Sequence, residues 1–313
     1  MSTPECEYMN LGNFKAIVYY DSFDYPLTLE ELELFSFRDK EDQKFDNLIE
    51  TEKGFYFLKD RENLIEVRKE RGEIAKDKWE KALKAVRWLK ITPYIRLIFA
   101  SGSLALSNTD EESDLDVLIV VKHGRIWTSR LLTVLLLSLL GVRRTRYEKI
   151  APDKICLNHF ITDKSLYIPR KSIYTAQLYA RLIPILFEDE KLVDEFMGTN
   201  SWVGQWIKGW PTIKIKNTIP NPSFLKIIKK IGEKILDTKL GDWLEKILKK
   251  YQLRRIKSYP LTYKPGGRIK ADDESLEFHP DSPELKIIER YNKKMIKLGF
   301  PELAKETDSG LRA

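Results

Sequence analysis

The sequence of 313 residues predicts a mixed α+β fold, in which a small mixed sheet lies between a helical N-terminal part and a basic, helical C-terminal part. Two short apolar runs, Ile95–Ala100 and Asp116–Val121, are rich in β-formers and bounded by turn residues, as buried strands are. On both sides of these runs, apolar residues recur at helical spacing. We therefore predict three domains, over residues 1–66, 67–170 and 171–313.

The N-terminal part is predicted to contain three helices and a hairpin. Helices are expected over Phe14–Ser22, over Leu29–Phe37 after a capping box, and over Gln43–Glu50, and a strand is expected over Gly54–Leu58. This order resembles a winged helix. Residues 1–66 hold 7 Lys and Arg against 16 Asp and Glu. Because nucleic-acid affinity depends on neutralising phosphates, we expect this domain to pack on the basic C-terminal block or a protein partner rather than to bind DNA.

The central part is predicted to add helices and strands to the two apolar runs. A long amphipathic helix over Ile65–Lys90 would cover the sheet, and an almost wholly apolar helix over Ile126–Leu140 would pack on its back. Arg143–Lys149 alternates basic residues with Thr and Tyr and is predicted to be an edge strand. Ile155–Ile161 is predicted to be a further strand.

The C-terminal part is predicted to be mainly helical. We expect a helix over Tyr174–Phe187 that is kinked or ended at Pro184, and three Trp residues on one helical face as a buried packing stripe. The remaining predicted elements are two basic amphipathic helices, a short extended segment and a last helix. These features are Trp202, Trp206, Trp210, Phe224–Leu236, Asp242–Leu253, Leu276–Pro280 and Pro283–Leu298.

Composition excludes several classes of protein. Two cysteines, Cys6 and Cys156, and 3 histidines are too few for a disulfide framework or a plausible zinc cluster. The most apolar segment, Leu131–Val142, is too short to cross a bilayer. The sequence therefore predicts no transmembrane segment and a cytoplasmic location.

Two carboxylates stand where the second apolar run begins. Side chains alternate along a strand, so Asp114 and Asp116 are expected on the same face. Two carboxylates that close repel each other unless a cation lies between them. Carboxylates and phosphate oxygens are the ligands that Mg²⁺ prefers, so this pair predicts a metal site for phosphoryl chemistry.

The turn after the first apolar run supplies a second element of this site. Gly102 allows the backbone to approach a ligand closely, while Ser101 and Ser103 offer hydroxyl and amide groups at an expected helix start, where phosphate binds well. A Gly-Ser turn followed after ten residues by Asp-x-Asp on a strand resembles the nucleotidyltransferase superfamily of DNA polymerase β. Together with Asp24–Thr28, Cys156–Asn158 and Phe278–Pro280, the order of elements resembles an uncharacterised prokaryotic group of nucleotidyltransferase-domain proteins. The resemblance implies transfer of a nucleoside monophosphate from a nucleoside triphosphate (NTP) to an acceptor hydroxyl, with Mg²⁺ or Mn²⁺ held by the two aspartates.

The resemblance also implies a third metal ligand and groups that bind the phosphates. Many members carry a third carboxylate on a neighbouring strand, at a position that matches Asn158, whose neutral carbonyl is a weaker ligand. Lys122, Arg125 and Arg130 follow the second strand and are candidates to neutralise the leaving pyrophosphate; of these, Lys122 and Arg125 are included in the predicted nucleotide site.

Three functions stay open on the sequence alone. The first is the metal-dependent nucleotidyltransferase, and the second is a catalytically weak form of the same fold that acts as a nucleotide- or nucleic-acid-binding regulatory module. The third is a nucleic-acid-binding protein that works through its basic block. Residues 208–270 hold 17 Lys and Arg against 4 Asp and Glu, so RNA, DNA or an acceptor protein would bind there. Binding of these basic helices to an anionic membrane surface is the less favoured alternative.

Overall fold

The computed structural model describes residues 9–39, 45, 47–211, 219, 223–265 and 267–301 and shows a mixed α+β fold. The helices of this part are α1 (Leu11–Asp21), α2 (Leu29–Phe35), α3 (Leu64–Leu89), α4 (Gly102–Leu106), α5 (Ile126–Leu139), α6 (Ile173–Ala180), α7 (Glu190–Thr199), α8 (Ser223–Leu236), α9 (Lys239–Lys257) and α10 (Glu284–Lys297). The strands are β1 (Leu27–Thr28), β2 (Ile49–Glu52), β3 (Phe55–Leu58), β4 (Ile95–Ala100), β5 (Leu115–Val121), β6 (Ile155–Thr162), β7 (Ile183–Phe187), β8 (Arg268–Ala271) and β9 (Ser275–His279). Within the described ranges, no helix combines the length and apolar character that crossing a bilayer requires.

The N-terminal part forms a small antiparallel sheet of order β1-β3-β2 beside α1 and α2. The predicted capping box is confirmed, because Thr28 and Glu31 exchange side-chain and backbone hydrogen bonds at the start of α2. The helix predicted over Gln43–Glu50 is wrong at its end, where Ile49 begins β2 and pairs with Leu58. Residues 43, 44 and 46 of that prediction lie outside the described residues. The winged-helix interpretation stays a prediction.

The central sheet has six strands in the order β7-β4-β5-β6-β9-β8. Only β5 and β6 are parallel, with α5 in the connection between them, and the other neighbours are antiparallel. Residues 171–313 were expected to be mainly helical with one short extended segment, which corresponds to β9, but they also supply β7 and β8. The sheet therefore extends in both directions beyond the three strands of the central part.

Two predicted elements are wrong in type. The helix expected over Tyr174–Phe187 ends at Ala180, and Ile183–Phe187 instead pairs with β4 at the edge of the sheet. Pro184 is compatible with this edge position, since proline cannot donate a backbone hydrogen bond. Arg143–Lys149 is not an edge strand, because only Arg143 forms a bridge, to Ile155, and a turn follows it.

The three Trp residues do not share a helical face, because a 3₁₀ helix covers only Ser201–Gln205 and turns follow it. Trp202 and Trp210 are nevertheless buried, in agreement with a packing role. They join a hydrophobic core that also includes residues of α1, α6, α10 and one face of the sheet. A second core lies between the other face of the sheet and α3 and α5. These two cores fix β4, β5 and β6, on which the candidate site is built.

Candidate functional site

The start of β5 lies directly beside the end of β4. The two strands are antiparallel, and Ala100 pairs with Val117. The pairing continues one residue further, where the Ser101 amide donates a hydrogen bond of 3.0 Å to the carbonyl oxygen of Asp116. The Gly-Ser turn and the Asp-x-Asp segment, which are separated by ten residues in sequence, are therefore adjacent in space.

Gly102 is in contact with the carboxylate of Asp116. Its φ is +61°, and a Cβ atom at this position would lie 2.6 Å from Oδ2 of Asp116. Residues with a side chain rarely adopt this φ, and no carbon atom fits at that distance from an oxygen. Glycine is thus required here for two independent reasons, of which the second is the close approach of the turn to the carboxylate.

Asp114 and Asp116 lie close together, as their spacing predicts. Their carboxylate oxygens and the Sγ atom of Cys156 all lie within 4.8 Å of one another. Burial and the neighbouring charge of Asp114 raise the pKa of Asp116 from 3.8 to about 7. The site therefore holds more negative charge than its protein surroundings stabilise.

Arg144 supplies the positive charge nearest to this pair. Its guanidinium forms an ion pair with Asp114, lies 3.9 Å from Sγ of Cys156, and also donates hydrogen bonds to the carbonyl oxygens of Glu148 and Lys149. One guanidinium thus faces two carboxylates. The loop that carries it follows α5 and begins at the bridge between Arg143 and Ile155.

The neighbouring strand β6 places two further polar side chains at the site. Cys156 is the parallel partner of Asp116, and Asn158 follows on the same face. The Asn158 side-chain amide donates a hydrogen bond of 2.6 Å to Oδ1 of Asp116. The structure therefore brings Asn158 to the carboxylate pair, as the resemblance implies, but it contacts Asp116 as a hydrogen-bond donor.

The hydroxyls of Ser101 and Ser103 are half-buried next to Asp116. Neither hydroxyl has a hydrogen-bond partner within the described chain. Ser103 contributes its carbonyl oxygen to the local fold, where it accepts a hydrogen bond of 2.9 Å from the amide of Asn108. The turn that contacts Asp116 therefore carries two half-buried serines whose hydroxyls have no partner among the described residues.

The structure does not bring the predicted phosphate-binding cations to this site. Lys122 follows Asp116 by six residues of extended chain, which is about 20 Å. Lys122 pairs with Asp237 at 2.8 Å, and Arg125 pairs with Asp242 at 2.5 Å. Arg130 is held by Gln252 at 2.7 Å and lies over the ring of Phe278. These cations hold α9 and the segment that connects it to α8 on the body of the protein, at the far end of β5.

Sequence reasoning missed two members of the site. Cys156 stands two residues before Asn158, so the alternation of a strand could have placed both on one face. Arg144 lies in the basic run that was predicted to be an edge strand, and that pattern gave it no role in the site. No local signal connects it with Asp114, which precedes it by thirty residues.

The donor set fits a hard divalent cation. Two carboxylates are oxygen ligands of the kind that Mg²⁺ and Mn²⁺ prefer. Burial, together with the charges of Asp116 and Asp114, raises the pKa of the Cys156 thiol, which keeps it protonated and a poor ligand. Because Gly102 has no side chain, its backbone lies directly beside the carboxylate of Asp116. Asp114 and Asp116 would hold the ion, and Asn158 could add a carbonyl oxygen only if its amide turned.

Comparison with protein-family models, with curated proteins and with solved structures gives no match for this chain. The function is therefore inferred from the geometry of the site.

Proposed function

We propose that this protein is a metal-dependent nucleotidyltransferase, which moves a nucleoside monophosphate from an NTP to an acceptor hydroxyl. The observation that carries the proposal is the contact between the Gly-Ser turn and the carboxylate pair. Gly102 lies so close to Asp116 that a Cβ atom would be 2.6 Å from its Oδ2. A turn and two carboxylates held together in this way match what binding a metal and a phosphate side by side requires.

Each residue of the site has a role in this proposal. Asp114 and Asp116 would hold Mg²⁺ or Mn²⁺, and Asn158 would orient Asp116 through its hydrogen bond. Ser101, Gly102 and Ser103 would bind the outer phosphates through hydroxyl and amide groups. Arg144, rather than Lys122 or Arg125, is the cation placed to meet the negative charge of the triphosphate.

A bound divalent cation supplies charge stabilisation at the attacked phosphate and at the leaving pyrophosphate. The chain supplies the remaining requirements. The hydrogen bonds of Ser101 and Asn158 to Asp116 fix the position of this residue, and the packing of β4 against β5 fixes the turn. The acceptor hydroxyl would have to approach the α-phosphate from the side opposite to the pyrophosphate.

The acceptor is an additional proposal. RNA, DNA or a protein would bind through residues 208–270, whose excess of positive charge supports a polyanion. If so, the affinity should fall steeply with salt and depend little on nucleotide sequence. Binding isotherms at two salt concentrations test this, and no binding at low salt would contradict it.

A regulatory module is the second candidate, and one observation favours it. Both carboxylates already have partners in the chain, because Arg144 pairs with Asp114 and Asn158 donates to Asp116. A site that uses its internal cation in place of a metal could bind a nucleotide without transferring it.

Incubation of the full chain with each radiolabelled NTP, Mg²⁺ or Mn²⁺ and a cell extract distinguishes the two candidates. The transferase predicts labelled product that is absent with Asp114→Asn and with Asp116→Asn. The control is Asp242→Asn, which removes a carboxylate at the far end of β5 and should leave the product unchanged.

A nucleotide-dependent rise in melting temperature without product would support the regulatory module. Neither product nor a melting shift with any NTP and metal would contradict both candidates.

A further inference from the structure

The α8–α9 pair (Ser223–Lys257) exposes an apolar stripe along each of its helices. On α8 the stripe consists of Phe224, Ile227, Ile228, Ile231 and Ile235, and on α9 it consists of Leu240, Trp243, Ile247 and Tyr251. These nine side chains are between 40% and 67% exposed. Their spacing of three or four residues places them on one face of each helix. Such a continuous set exceeds the scattered apolar residues of an ordinary protein surface.

A stripe of cations runs beside the apolar stripe on each helix. Lys226, Lys230 and Lys234 recur every four residues on α8, and Lys246, Lys250 and Arg254 do the same on α9. All six are exposed. None of them forms an ion pair with a carboxylate in the described parts of the chain.

The carboxylates of the α8–α9 pair face the body of the protein instead. Glu233 pairs with Arg96 at 2.7 Å, and Asp237 and Asp242 pair with Lys122 and Arg125. Glu245 accepts hydrogen bonds from the amides of Trp127 and Thr128 at the start of α5, at 2.9 and 2.8 Å. The four acidic side chains fasten the two helices to the body, and the two exposed stripes consist of apolar and basic groups.

We propose that the α8–α9 pair is a docking surface for an anionic lipid bilayer, with both helices lying along the membrane surface. Amphipathic helices that bind membranes in this way combine an apolar face with Lys and Arg. The apolar stripes would enter the boundary between headgroups and acyl chains, while the cations would meet lipid phosphates. Trp243 and Tyr251 are residue types that favour this boundary. This proposal does not depend on the transferase activity, and it is an alternative to a polyanionic acceptor, which would bind the same cations.

Two other occupants explain the surface less well. A nucleic acid would neutralise the cations but would leave the apolar stripes in water. A second copy of the chain, packed face to face, would cover the apolar stripes but bring the cation stripes of the two copies together. Only a partner that is apolar inside and negatively charged at its surface satisfies both stripes.

The test is co-sedimentation of the full chain with vesicles of phosphatidylcholine alone or with roughly one-third phosphatidylglycerol. We expect binding to the anionic vesicles that is about ten-fold or more tighter than to the neutral ones. The double variant Ile231→Ser and Trp243→Ser should weaken binding to anionic vesicles about ten-fold or more, because it interrupts both apolar stripes. A matched control is Leu139→Ser, which removes an apolar side chain that is 86% exposed on α5 and should change nothing.

A second variant keeps the test valid if the first one fails to fold. Lys226→Gln, Lys230→Gln and Lys234→Gln together remove the cation stripe of α8 and should lower the preference for anionic over neutral vesicles. Circular dichroism melts check that each variant is folded.

Three results would overturn the proposal. One is the absence of binding to anionic vesicles, and another is wild-type binding by the folded double variant. The third is sedimentation as a dimer without lipid that the double variant abolishes, which would assign the surface to a second copy. Binding of RNA or DNA without binding of anionic vesicles would also overturn the proposal.

Discussion

The two ends of β5 show opposite arrangements of charge. After the last residue of β5, Lys122 pairs with Asp237 and Arg125 pairs with Asp242, and both carboxylates belong to the α8–α9 pair. At its start, Asp114 and Asp116 share a single guanidinium among the described residues, that of Arg144. A protein with a net charge of +7 has enough cations to neutralise both carboxylates. Because folding alone would favour that neutralisation, the remaining negative charge at the start of β5 points to a ligand.

The same contrast appears in the glycines next to the two ends. Gly102, beside Asp116, and Gly124, in the turn after Lys122, both have positive φ, of +61° and +73°. A Cβ atom at Gly102 would collide with the Asp116 carboxylate, whereas a Cβ atom at Gly124 would meet nothing within 4 Å. Both turns require glycine for backbone conformation, but only the first requires it for close approach.

The largest effect is expected from Gly102→Ala. The added methyl group would displace the carboxylate of Asp116, so the metal-dependent nucleotide shift in melting temperature and any turnover should be lost. The left-handed backbone adds a cost of about 1–2 kcal/mol to the free energy of unfolding. Gly124→Ala is the matched control, because it has the backbone cost without the collision. Equal loss of the nucleotide shift in both variants would show that backbone strain, and not the contact with Asp116, is responsible.

The next effect concerns the pH dependence of the metal-free protein. The pKa of Asp116 is raised from 3.8 to about 7 by burial and by Asp114, so the folded state holds a proton that the unfolded chain releases. Its contribution to stability is therefore complete below pH 3.8 and is lost as the pH rises through 7, on the order of 4 kcal/mol in all. Asp116→Asn should remove this decline. Urea unfolding in a chelator at pH 5 and pH 8 measures it, and an equal decline in the variant would contradict the assignment.

At the other end of β5 the pKa of Asp237 has the opposite direction. Burial alone would raise it, but hydrogen bonds from Lys122 and Tyr94 outweigh burial and lower it. Its contribution is therefore present above the unfolded pKa and lost as the pH falls. Asp237→Asn should leave the decline between pH 5 and pH 8 intact, which makes it the control for Asp116→Asn.

A smaller effect is expected from Asn158→Asp. The side chain now donates a hydrogen bond of 2.6 Å to Asp116, and a carboxylate there would replace attraction by repulsion. The metal-free variant should lose about 2 kcal/mol of stability. If Asn158 stands at a metal-ligand position, added Mg²⁺ should restore the melting temperature of the variant. Differential scanning calorimetry across a Mg²⁺ titration measures this.

The control for this variant is Asn108→Asp. Asn108 also donates a hydrogen bond, of 3.0 Å to the carbonyl oxygen of Phe23, and accepts one of 3.1 Å from Arg71, but it lies outside the carboxylate pair. Because Arg71 would pair with a carboxylate at this position, the melting temperature of the control should not depend on Mg²⁺. The same behaviour in Asn158→Asp would remove Asn158 from the metal site.

The sequence was sufficient to predict the start of β5 because its signals are local. The apolar runs of β4, β5 and β6 define strands, and the two-residue spacing of Asp114 and Asp116 places them on one face. The turn at Gly102 was also predicted, whereas the pairing of Ser101 with Asp116 is seen only in the structure. Each of these inferences uses residues within one strand and the turn beside it.

Long-range pairing was beyond sequence reasoning. Ile183–Phe187 is a short apolar run without a distinguishing period, and its pairing with β4 makes it a strand. The same limit explains Lys122 and Arg125, which were assigned to phosphate because they follow β5 closely in sequence. Their partners, Asp237 and Asp242, come from more than a hundred residues away.

The smallest effect is expected from Lys122→Gln. This variant decides whether Lys122 binds the nucleotide phosphates or serves only to pair with Asp237. In the structure Lys122 pairs with Asp237, and both side chains are 38% exposed. Exposed ion pairs contribute little, so the loss of stability should be below about 1 kcal/mol. The NTP- and metal-dependent shift in melting temperature should not change, because about 20 Å of strand separate Lys122 from Asp116. Lys164→Gln, which changes an exposed lysine after β6, controls for the loss of one positive charge. A smaller nucleotide-dependent shift in melting temperature in Lys122→Gln, but not in Lys164→Gln, would assign Lys122 to the nucleotide site. That result would contradict the separation of about 20 Å between Lys122 and Asp116.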